Sequence, residues 1–341
     1  MDEKRHATEG AQAGDSAGAL DITVLMGGPS SEREVSLVSG SAIADALDRL
    51  GNSVTRADIS PSDTSALDRD GIDVVFIALH GDFGESGEVQ RLCEARGLRY
   101  TGSGPRASEL AMDKAASKQI FRQAGLATPD WMIIEEFHQP SVYRKWLMEI
   151  PPPVFLKPVG GGSSVDVAFA ADERQRDLAL EGLLDKYGRA LIERYVEGRE
   201  LTVSILGRQA LPVLEVVPAK GFYDYSAKYD DDAGTDYVFD HGLPRETCQS
   251  VQSAAMAAHE ALGCRDMSRV DFILDEAGTP YLLEVNTIPG FTSHSLLPMA
   301  AKKVGIGFDE LIDRLVRMAM SRPCSASGGP CEETKWRAVR S

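Results

Sequence analysis

The sequence predicts an α/β protein with α+β parts, and its 341 residues are enough for two or three domains. Three stretches indicate this class. An apolar strand, a glycine-rich turn and a helical segment follow one another from Asp21, which is how an α/β domain commonly begins. Two further pairs of strands are predicted, one around a glycine-rich loop after Pro153 and one as a hairpin within 268–286.

Composition excludes several classes of function. The formal net charge is −16, so the chain lacks the excess of cations that nucleic-acid binding requires. No apolar run approaches the roughly 20 residues of a membrane-spanning helix, and the polar segment 1–20 predicts a disordered leader rather than a secretory signal. Five cysteines without a CxxC pair indicate free thiols. We expect a cytoplasmic protein that binds small molecules, with neither nucleic acid nor a membrane as partner.

The first predicted strand is the apolar run ITVLM after Asp21, and it leads into the turn GGPSSERE. Apolar residues at helical spacing follow as far as Gly51, and Ser31 with Glu34 fits a capping box at the start of this helix. The turn lacks G-x-G-x-x-G, which makes a dinucleotide-dependent oxidoreductase a weak alternative. The simplest role of Glu32 within the turn is to favour the positive end of the helix.

A second buried strand, DVVFIAL, runs from Asp73 into the glycine-rich loop HGDFGESGE. Loops at the carboxyl ends of strands in an open α/β sheet are common ligand sites, so His80 is a candidate, although a single histidine is more often structural. A helix is predicted after Asp113 and ends at Gly125. Lys114 at its start is, taken alone, a surface lysine.

The next unit begins with the strand VFLKP, which contains Lys157, and continues through three glycines and Ser163–Ser164 into a second strand, VDVAFA. Such a loop can fold over phosphates and offer them backbone N–H groups and hydroxyls. It is not a Walker loop, because GK[ST] and a following helix are missing. A plain hairpin with a flexible turn is the alternative. In the stretch LIERYVEGREL, we expect the strand to end at Ile192 and a linker to begin at Glu193.

The segment 221–244 is long, polar and aromatic, without clear periodicity. Long loops inside a compact domain are usually lids or binding loops. Helices are predicted on either side of the final hairpin, over 246–263 and 307–320, and the polar segment 321–341 is predicted to be a disordered tail.

The final hairpin consists of RVDFIL and PYLLEVN, joined by a turn with Gly278. Because alternate residues of a strand share a face, Arg269 lies beside Asp271, and Glu284 lies beside Asn286. Two carboxylates and an amide suit Mg²⁺ next to the phosphates of a nucleotide. The alternative is a salt-bridged, solvated face. The opposite face is apolar, and its expected core residues are Val270, Phe272, Leu283 and Val285.

Five stretches together resemble one protein family. EVNTIPGFTSHSLLPMAA resembles the C-terminal signature of the D-alanine–D-alanine ligases, and GGPSSEREVSL, HGDFGESG, KPVGGGSSVDV and FYDYSAKY resemble further signatures of that family. The resemblance covers residues 21–320 and implies the ATP-grasp fold. Ser86 stands where the family usually has Asp, and VGGG and Asp166 depart from the usual family loop.

The resemblance implies an N-terminal Rossmann-like α/β domain and two α+β subdomains that clamp ATP. Residues 21–113 would form the first domain, 114–200 the central subdomain, and 201–320 the C-terminal subdomain with an ω-loop and the metal site. A homodimer is expected, because the family is commonly dimeric.

The resemblance also implies roles for individual residues. The catalytic positions would be Glu32, Ser163, Tyr229, Arg269, Gly290 and Ser295. ATP would be bound by Lys114, Lys157, Ser163, Ser164, Glu193, Val196, Glu200 and Lys228. The amino-acid substrates would contact Glu32, His80, Tyr229, Arg269, Gly290, Ser295 and Leu296. Mg²⁺ (or Mn²⁺), with two ions expected, would be held by Asp271, Glu284 and Asn286.

These roles imply the ATP-dependent ligation of two D-alanines through a D-alanyl phosphate, for peptidoglycan precursor synthesis. Glu32 would receive the ammonium of the first D-alanine. Tyr229, with Ser163 and Glu32 as its expected hydrogen-bond partners, favours an amino acid as the second substrate. The alternatives are ligation of D-alanine to D-serine or D-lactate, and a non-catalytic nucleotide-binding relative.

Overall fold

The computed structural model describes residues 18–136, 140–162, 165–218, 234–292 and 294–323. Within these ranges the strands form three sheets, and helices pack against them. Each sheet is built largely from one continuous part of the chain, so the predicted mixed α/β class is confirmed. None of the helices in these ranges combines the length and the apolar character that crossing a bilayer requires.

The N-terminal sheet is parallel and contains β1 (Asp21–Met26), β2 (Ser53–Asp58) and β3 (Val74–Ile77), in the order β2-β1-β3. Helix α1 (Arg33–Arg49) connects the first two strands, and α2 (Asp82–Glu85), α3 (Glu88–Ala95) and α4 (Pro105–Met112) follow the third. Because β1 and β3 are parallel neighbours, the loops that follow them leave the same edge of the sheet.

The start of α1 differs from the prediction. The helix begins at Arg33 with Glu32 at its N-cap and without a side-chain cap, so the predicted capping box of Ser31 and Glu34 is wrong. The turn is instead held by Ser30, whose Oγ accepts a hydrogen bond of 3.2 Å from the Glu32 N–H. The Glu32 side chain therefore does not cap the helix. Glu32 is buried, with only 6% of its surface exposed.

The middle sheet is antiparallel and contains β4 (Trp131–Glu135), β5 (Val154–Pro158), β6 (Ala168–Ala170) and β7 (Arg189–Arg194), in the order β4-β7-β5-β6. It is accompanied by α5 (Lys114–Gln123), α6 (Pro140–Leu147) and α7 (Glu173–Tyr187). Its core is a cluster of buried aliphatic side chains that includes Ile134, Val154, Leu156, Leu180 and Ile192.

Two strand boundaries in this sheet correct the sequence analysis. The strand predicted from Val165 begins only at Ala168, because Asp166 adopts a left-handed backbone with φ 56° and its carboxylate accepts a hydrogen bond of 2.6 Å from Lys186. The strand predicted to end at Ile192 continues through Glu193 to Arg194, because both neighbouring strands pair with it there. Glu193 is therefore a sheet residue rather than part of the linker.

The third sheet contains β8 (Arg199–Leu206), β9 (Gln209–Ala210), β10 (Leu214–Val217), β11 (Asp236–Val238), β12 (Met267–Leu274) and β13 (Pro280–Asn286). Its order within the described residues is β11-β10-β8-β12-β13, with β9 paired to β8, and α8 (Arg245–Ala261) packs against it. Strand β11 lies in the segment 221–244 that was predicted as a lid or binding loop, most of which is outside the described residues.

Two C-terminal helices, α9 (Leu296–Lys303) and α10 (Phe308–Met320), pack against the N-terminal part of the chain. Leu311 and Leu315 of α10 share a buried cluster with Ile43 and Leu47 of α1. Arg49 at the end of α1 forms an ion pair of 2.5 Å with Asp309. The final described helix therefore completes the hydrophobic core beside the N-terminal sheet.

Candidate active site

The hairpin of β12 and β13 places its four polar residues as two facing pairs. Arg269 lies opposite Asn286, and Asp271 lies opposite Glu284. Along β12, Arg269 Nη2 donates to Asp271 Oδ2 at 2.8 Å, which confirms that these side chains share a face. Both side chains keep only 13% of their surface exposed, so the alternative of a solvated hairpin face is wrong.

A β-bulge changes the expected pattern at the far end of the hairpin. The register shifts between Asp271 and Phe272, so Phe272 faces Leu282. Leu282 is fully buried, whereas Leu283 lines a cavity on the polar face. The expectation that Leu283 belongs to the core is therefore wrong, because the bulge turns this part of β13 by one residue.

Two of the three predicted metal ligands, Asp271 and Asn286, are held in place by neighbouring groups. Asp271 Oδ1 accepts hydrogen bonds from Thr202 Oγ1 at 2.7 Å and from Arg269 Nε at 3.0 Å. Asn286 Oδ1 accepts from the Ile288 N–H at 2.9 Å. In the described part of the chain, no group of three or more His, Cys, Asp or Glu side chains could hold a metal. Two carboxylates with one amide nevertheless form an oxygen donor set that fits Mg²⁺ bound partly by phosphates.

A cavity of about 470 Å³ lies between the middle sheet and the third sheet. It brings together six of the residues that were predicted to bind the nucleotide or metal in this region: Lys114, Lys157, Glu193, Val196, Glu200 and Glu284. Asp271 also reaches its wall. The volume is in the range of cavities that hold small-molecule ligands.

Ion pairs between Glu193 and two lysines lie in and behind one wall of this cavity. Lys157 Nζ donates to Glu193 Oε1 at 2.6 Å, and Lys118 Nζ lies 2.6 Å from Glu193 Oε2. Burial alone acts to raise the pKa of the Glu193 carboxyl, but the ammonium groups of Lys157 and Lys118 lower that pKa below its usual value. Glu193 therefore remains ionised although it is only 1% exposed.

Three aromatic rings line the same wall. Phe155 and Phe169 are 5.5 Å apart between ring centroids, and Tyr195 lies 6.0 Å and 5.4 Å from them. The three rings pack edge-on or tilted, an arrangement that aromatic side chains prefer. They add to the apolar part of a cavity lining that also contains charged side chains, a mixture that suits a flat heterocycle beside phosphates.

A second cavity, of about 60 Å³, adjoins the first. Lys114, Gly161, Gly162 and Glu284 line both cavities. Lys114 Nζ donates to the Gly161 carbonyl at 2.6 Å and lies 3.8 Å from Glu284 Oε2. The residues that line only the smaller cavity include Glu32, Glu85, Arg269 and Asn286.

The smaller cavity is bordered by the loops that follow β1 and β3. Glu32, His80 and Glu85 are each at most 8% exposed. The loops approach so closely that a Cβ at Gly81 would lie 2.5 Å from Ser30 Cβ, and Gly81 has φ 77°. Only glycine accommodates both conditions, so Gly81 is what allows His80 and Glu85 to lie near Glu32.

Burial is the largest influence on the pKa values of Glu85 and His80 beside the smaller cavity. It raises the pKa of Glu85 to about 8, and the negative charge of Glu32 adds to this effect. Burial also lowers the pKa of His80, with Glu32 raising it and Arg269 lowering it further. Glu85 Oε2 accepts a hydrogen bond of 2.7 Å from the Gly81 N–H, whereas His80 Nε2 is buried and has no hydrogen-bond partner among the described residues.

The predicted residues after β13 do not line either cavity. A Cβ at Gly290 would lie 2.7 Å from Ser295 Oγ, and that oxygen accepts a hydrogen bond of 2.9 Å from the Thr292 N–H. The Leu296 side chain packs in a core cluster with Leu214 and Val216, which leaves its backbone for the predicted substrate contact. Ser163, Ser164, Lys228 and Tyr229 lie outside the described residues.

The sequence analysis missed Lys118 and Glu85. Lys118 lies one helical turn after Lys114, so helical spacing places both lysines on the same side of α5. Glu85 stands in the loop HGDFGESGE, in which only His80 was singled out. The aromatic cluster had no recognisable signal, because its members come from three different strands or their ends.

Comparison with known proteins places the chain among described families and relatives. Residues 120–317 match the family described as D-ala D-ala ligase C-terminus, and residues 52–103 match D-ala D-ala ligase N-terminus. The chain is 43% identical to a D-alanine--D-alanine ligase from Anaeromyxobacter sp. (strain K), over 86% of this chain and 95% of the relative. It is 42% identical to one from Pelotomaculum thermopropionicum, over 88% and 97%.

Solved structures are similar over the same length. The D-alanine--D-alanine ligase from Bacillus anthracis complexed with ATP matches with a TM-score of 0.78 and 34% identity, over 89% of this chain and 98% of that one. The VanG D-Ala:D-Ser ligase from Enterococcus faecalis matches with a TM-score of 0.79 and 27% identity, over 89% and 100%. The architecture is therefore the ATP-grasp fold of these enzymes, as predicted.

Proposed function

Because the chain belongs to the D-alanine–D-alanine ligase family, we propose that it joins two molecules of D-alanine at the expense of ATP, for peptidoglycan precursor synthesis. The single observation that carries this function is the shared wall of the two cavities. Lys114, Gly161, Gly162 and Glu284 border both of them. A nucleotide bound in the larger cavity would therefore lie next to a small substrate bound in the smaller cavity.

The roles of the nucleotide residues follow from this placement. Lys114 and Lys157 would contact phosphates, and the aromatic wall would contact the adenine. Asp271, Glu284 and Asn286 would hold Mg²⁺ (or Mn²⁺), with two ions expected, and the bound metal would neutralise charge on the phosphates. Val196 would contact the adenine and Glu200 the ribose. The phosphates would also be contacted by Ser163, Ser164 and Lys228.

The reaction then has two balanced steps. In the first, a carboxylate oxygen of one D-alanine attacks the γ-phosphorus of ATP, and ADP leaves with the electron pair of the broken P–O bond. In the second, the unprotonated amine of the other D-alanine attacks the acyl carbon, inorganic phosphate leaves with the electron pair of the broken C–O bond, and the proton that the nitrogen loses ends on the phosphate as the peptide bond forms. Arg269 borders the smaller cavity, where its guanidinium can stabilise the oxyanion.

The first D-alanine is assigned to the smaller cavity. Its ammonium would be received by Glu32, whose carboxylate is buried there, while His80 would lie nearby with its unpartnered Nε2. The second substrate would be bound by Ser295, Leu296 and the Gly290 N–H. Tyr229 favours an amino acid over D-lactate in this position; D-serine is the second candidate, because the VanG D-Ala:D-Ser ligase is also similar.

The test is phosphate release from ATP and Mg²⁺ with D-alanine alone, compared in parallel with D-alanine plus D-serine and with D-alanine plus D-lactate. D-alanine alone should support release, with D-alanyl-D-alanine on a chromatogram. Release only in the presence of D-serine would assign the alternative activity. ATP binding without any D-alanine-dependent turnover would contradict the ligase assignment.

Three further parts of the proposal concern organisation. We propose that the chain acts in the cytoplasm as a homodimer, which sedimentation of the purified protein would test. We also propose that residues 21–113 form the N-terminal domain, 114–200 the central subdomain and 201–320 the C-terminal subdomain, and limited proteolysis near residues 113 and 200 would test this division.

A further inference from the structure

The inference concerns Lys118, which lies behind the nucleotide cavity without lining it. Its side chain is only 1% exposed, which is rare for a lysine. Its ammonium nitrogen lies 2.6 Å from Glu193 Oε2 and donates to Thr128 Oγ1 at 2.6 Å. Burial lowers the pKa of the Lys118 ammonium and the Glu193 carboxylate acts to raise it, so the charge of Lys118 depends on this ion pair.

The direction of the hydrogen bonds defines what Lys118 does. Thr128 Oγ1 uses its proton to donate to the Leu282 carbonyl at 2.7 Å, so it accepts from Lys118. Leu282 belongs to β13, the strand that also carries Glu284 and Asn286. Lys118 thereby connects the middle sheet, through Glu193, with the strand of the predicted metal ligands.

The charges around Glu193 do not cancel. Its carboxylate is shared by two lysines, Lys157 at 2.6 Å and Lys118 at 2.6 Å, so the cluster carries one net positive charge when both lysines are protonated. Lys157 lines the cavity and Lys118 does not. If Lys118 were neutral, Lys157 and Glu193 would form a closed pair, and the cavity wall would lose its surplus charge.

We propose that Lys118 is a positioning residue for the nucleotide: by sharing the Glu193 carboxylate, it keeps the Lys157 ammonium available as a net positive charge in the cavity. The inference rests on the proposed function, since it takes ATP to be the ligand of the larger cavity. Lys118 itself touches neither the ligand nor the reacting atoms. Its effect on the nucleotide passes through Glu193 and Lys157.

The experiment measures the Kd for ATP with Mg²⁺ and without D-alanine, so that no turnover is needed. Lys118→Met should raise this Kd about tenfold, the cost expected when one charge-assisted interaction is lost. Because Glu193 is itself assigned to the nucleotide, the effect of Lys118 is measured again in the Glu193→Gln background. There Lys118→Met should change the Kd by less than about threefold, since no carboxylate remains to pair with Lys157. Thermal unfolding is followed in parallel, because a purely structural role would change Tm and Kd equally in both backgrounds.

Lys186→Met is the matched control, since it removes the same charge from an exposed ion pair with Asp166 in the same part of the chain. It should leave the Kd for ATP unchanged. If Lys118→Met is too unstable to measure, Lys118→Gln takes its place, because the amide is neutral but can still bond to Thr128 and Glu193. An unchanged Kd in the folded Lys118 variant, or an equal effect of Lys118→Met in the original and Glu193→Gln backgrounds, would overturn the proposal.

The outcomes also separate this inference from the ligase assignment. A chain that binds ATP with the expected pattern but does not ligate D-alanine would overturn the assignment alone. A chain that ligates D-alanine while the Lys118 variants bind ATP normally would overturn the positioning role alone.

Discussion

The two halves of the active site treat buried charge in opposite ways. In the nucleotide half, the Lys118 and Lys157 ammonium nitrogens each lie 2.6 Å from an oxygen of the Glu193 carboxylate. The two lysines keep the pKa of that carboxyl below its usual value, whereas burial lowers the pKa of Lys118. In the substrate half, burial raises the pKa of Glu85 to about 8 and lowers the pKa of His80, so that both groups tend towards neutrality. The difference arises because opposite charges in contact offset their desolvation, whereas neighbouring carboxylates cannot.

This contrast indicates which ligand charge each half of the active site is suited to bind. The nucleotide half is organised in advance for a polyanion, with its positive charge already in place. The substrate half has carboxylates that are better stabilised once a ligand brings an ammonium group. If the halves are specialised in this way, a substitution in one half should change the KM of one substrate only.

The largest effect is expected at Glu284, which borders both halves. Glu284→Gln should lower kcat about a thousandfold, because it removes a charged ligand where negative charge is transferred. Glu276→Gln, in the exposed turn of the same hairpin, is the control and should retain full activity. Steady-state phosphate release measures both variants. Equal activities would show that the hairpin carboxylate is not part of the chemistry.

The next effect isolates the substrate half. Glu32→Gln should raise the KM for D-alanine about a hundredfold, since a buried partner for the ammonium is lost, and it should leave the KM for ATP within about twofold. Glu34→Gln removes an exposed carboxylate two residues away and is the control. A matching rise in the KM for ATP would break the separation between the halves.

The nucleotide half gives the reciprocal result. Lys157→Met should raise the KM for ATP about thirtyfold with an unchanged KM for D-alanine, because a charge-assisted contact to the nucleotide is removed. Lys145→Met, on the exposed side of α6, serves as the control. The separation would be contradicted if D-alanine binding weakened to a similar degree.

The smallest effect concerns stability rather than activity. The pKa of Glu85 is raised from 4.5 to about 8 by folding, so the unfolded chain loses this proton at lower pH than the folded one. The free energy of unfolding should therefore fall as the pH rises from about 4.5 to 8. Glu85→Gln should remove this part of the slope and make the protein roughly 1–2 kcal/mol more stable near the upper end of that range.

Urea unfolding at several pH values measures this effect. Glu88→Gln is the control, because Glu88 is exposed at the start of α3 and should leave the slope unchanged. A Glu85→Gln variant with the same pH dependence as the original protein would show that Glu85 is already ionised in the folded state, and the contrast between the two halves would then disappear.

Local sequence patterns were sufficient to predict the class of fold, most element positions and the polar face of the hairpin. Period-2 alternation in RVDFIL and PYLLEVN is local information, and so is the glycine punctuation of the loops that follow β1, β3 and β5. Local signals were enough to identify Arg269, Asp271, Glu284 and Asn286 as a group, and the facing pairs of the hairpin agree with that grouping.

The contacts between residues of different elements could be identified only in the folded chain. The bulge that turns Leu283 into the cavity depends on pairing with β12, and the extension of β7 through Glu193 depends on neighbours on both sides. Lys118 became significant because α5 packs it between two sheets, where its charge has no solvent to screen it. Burial and charge pairing are properties of contacts between distant segments, and a single sequence carries no direct record of them.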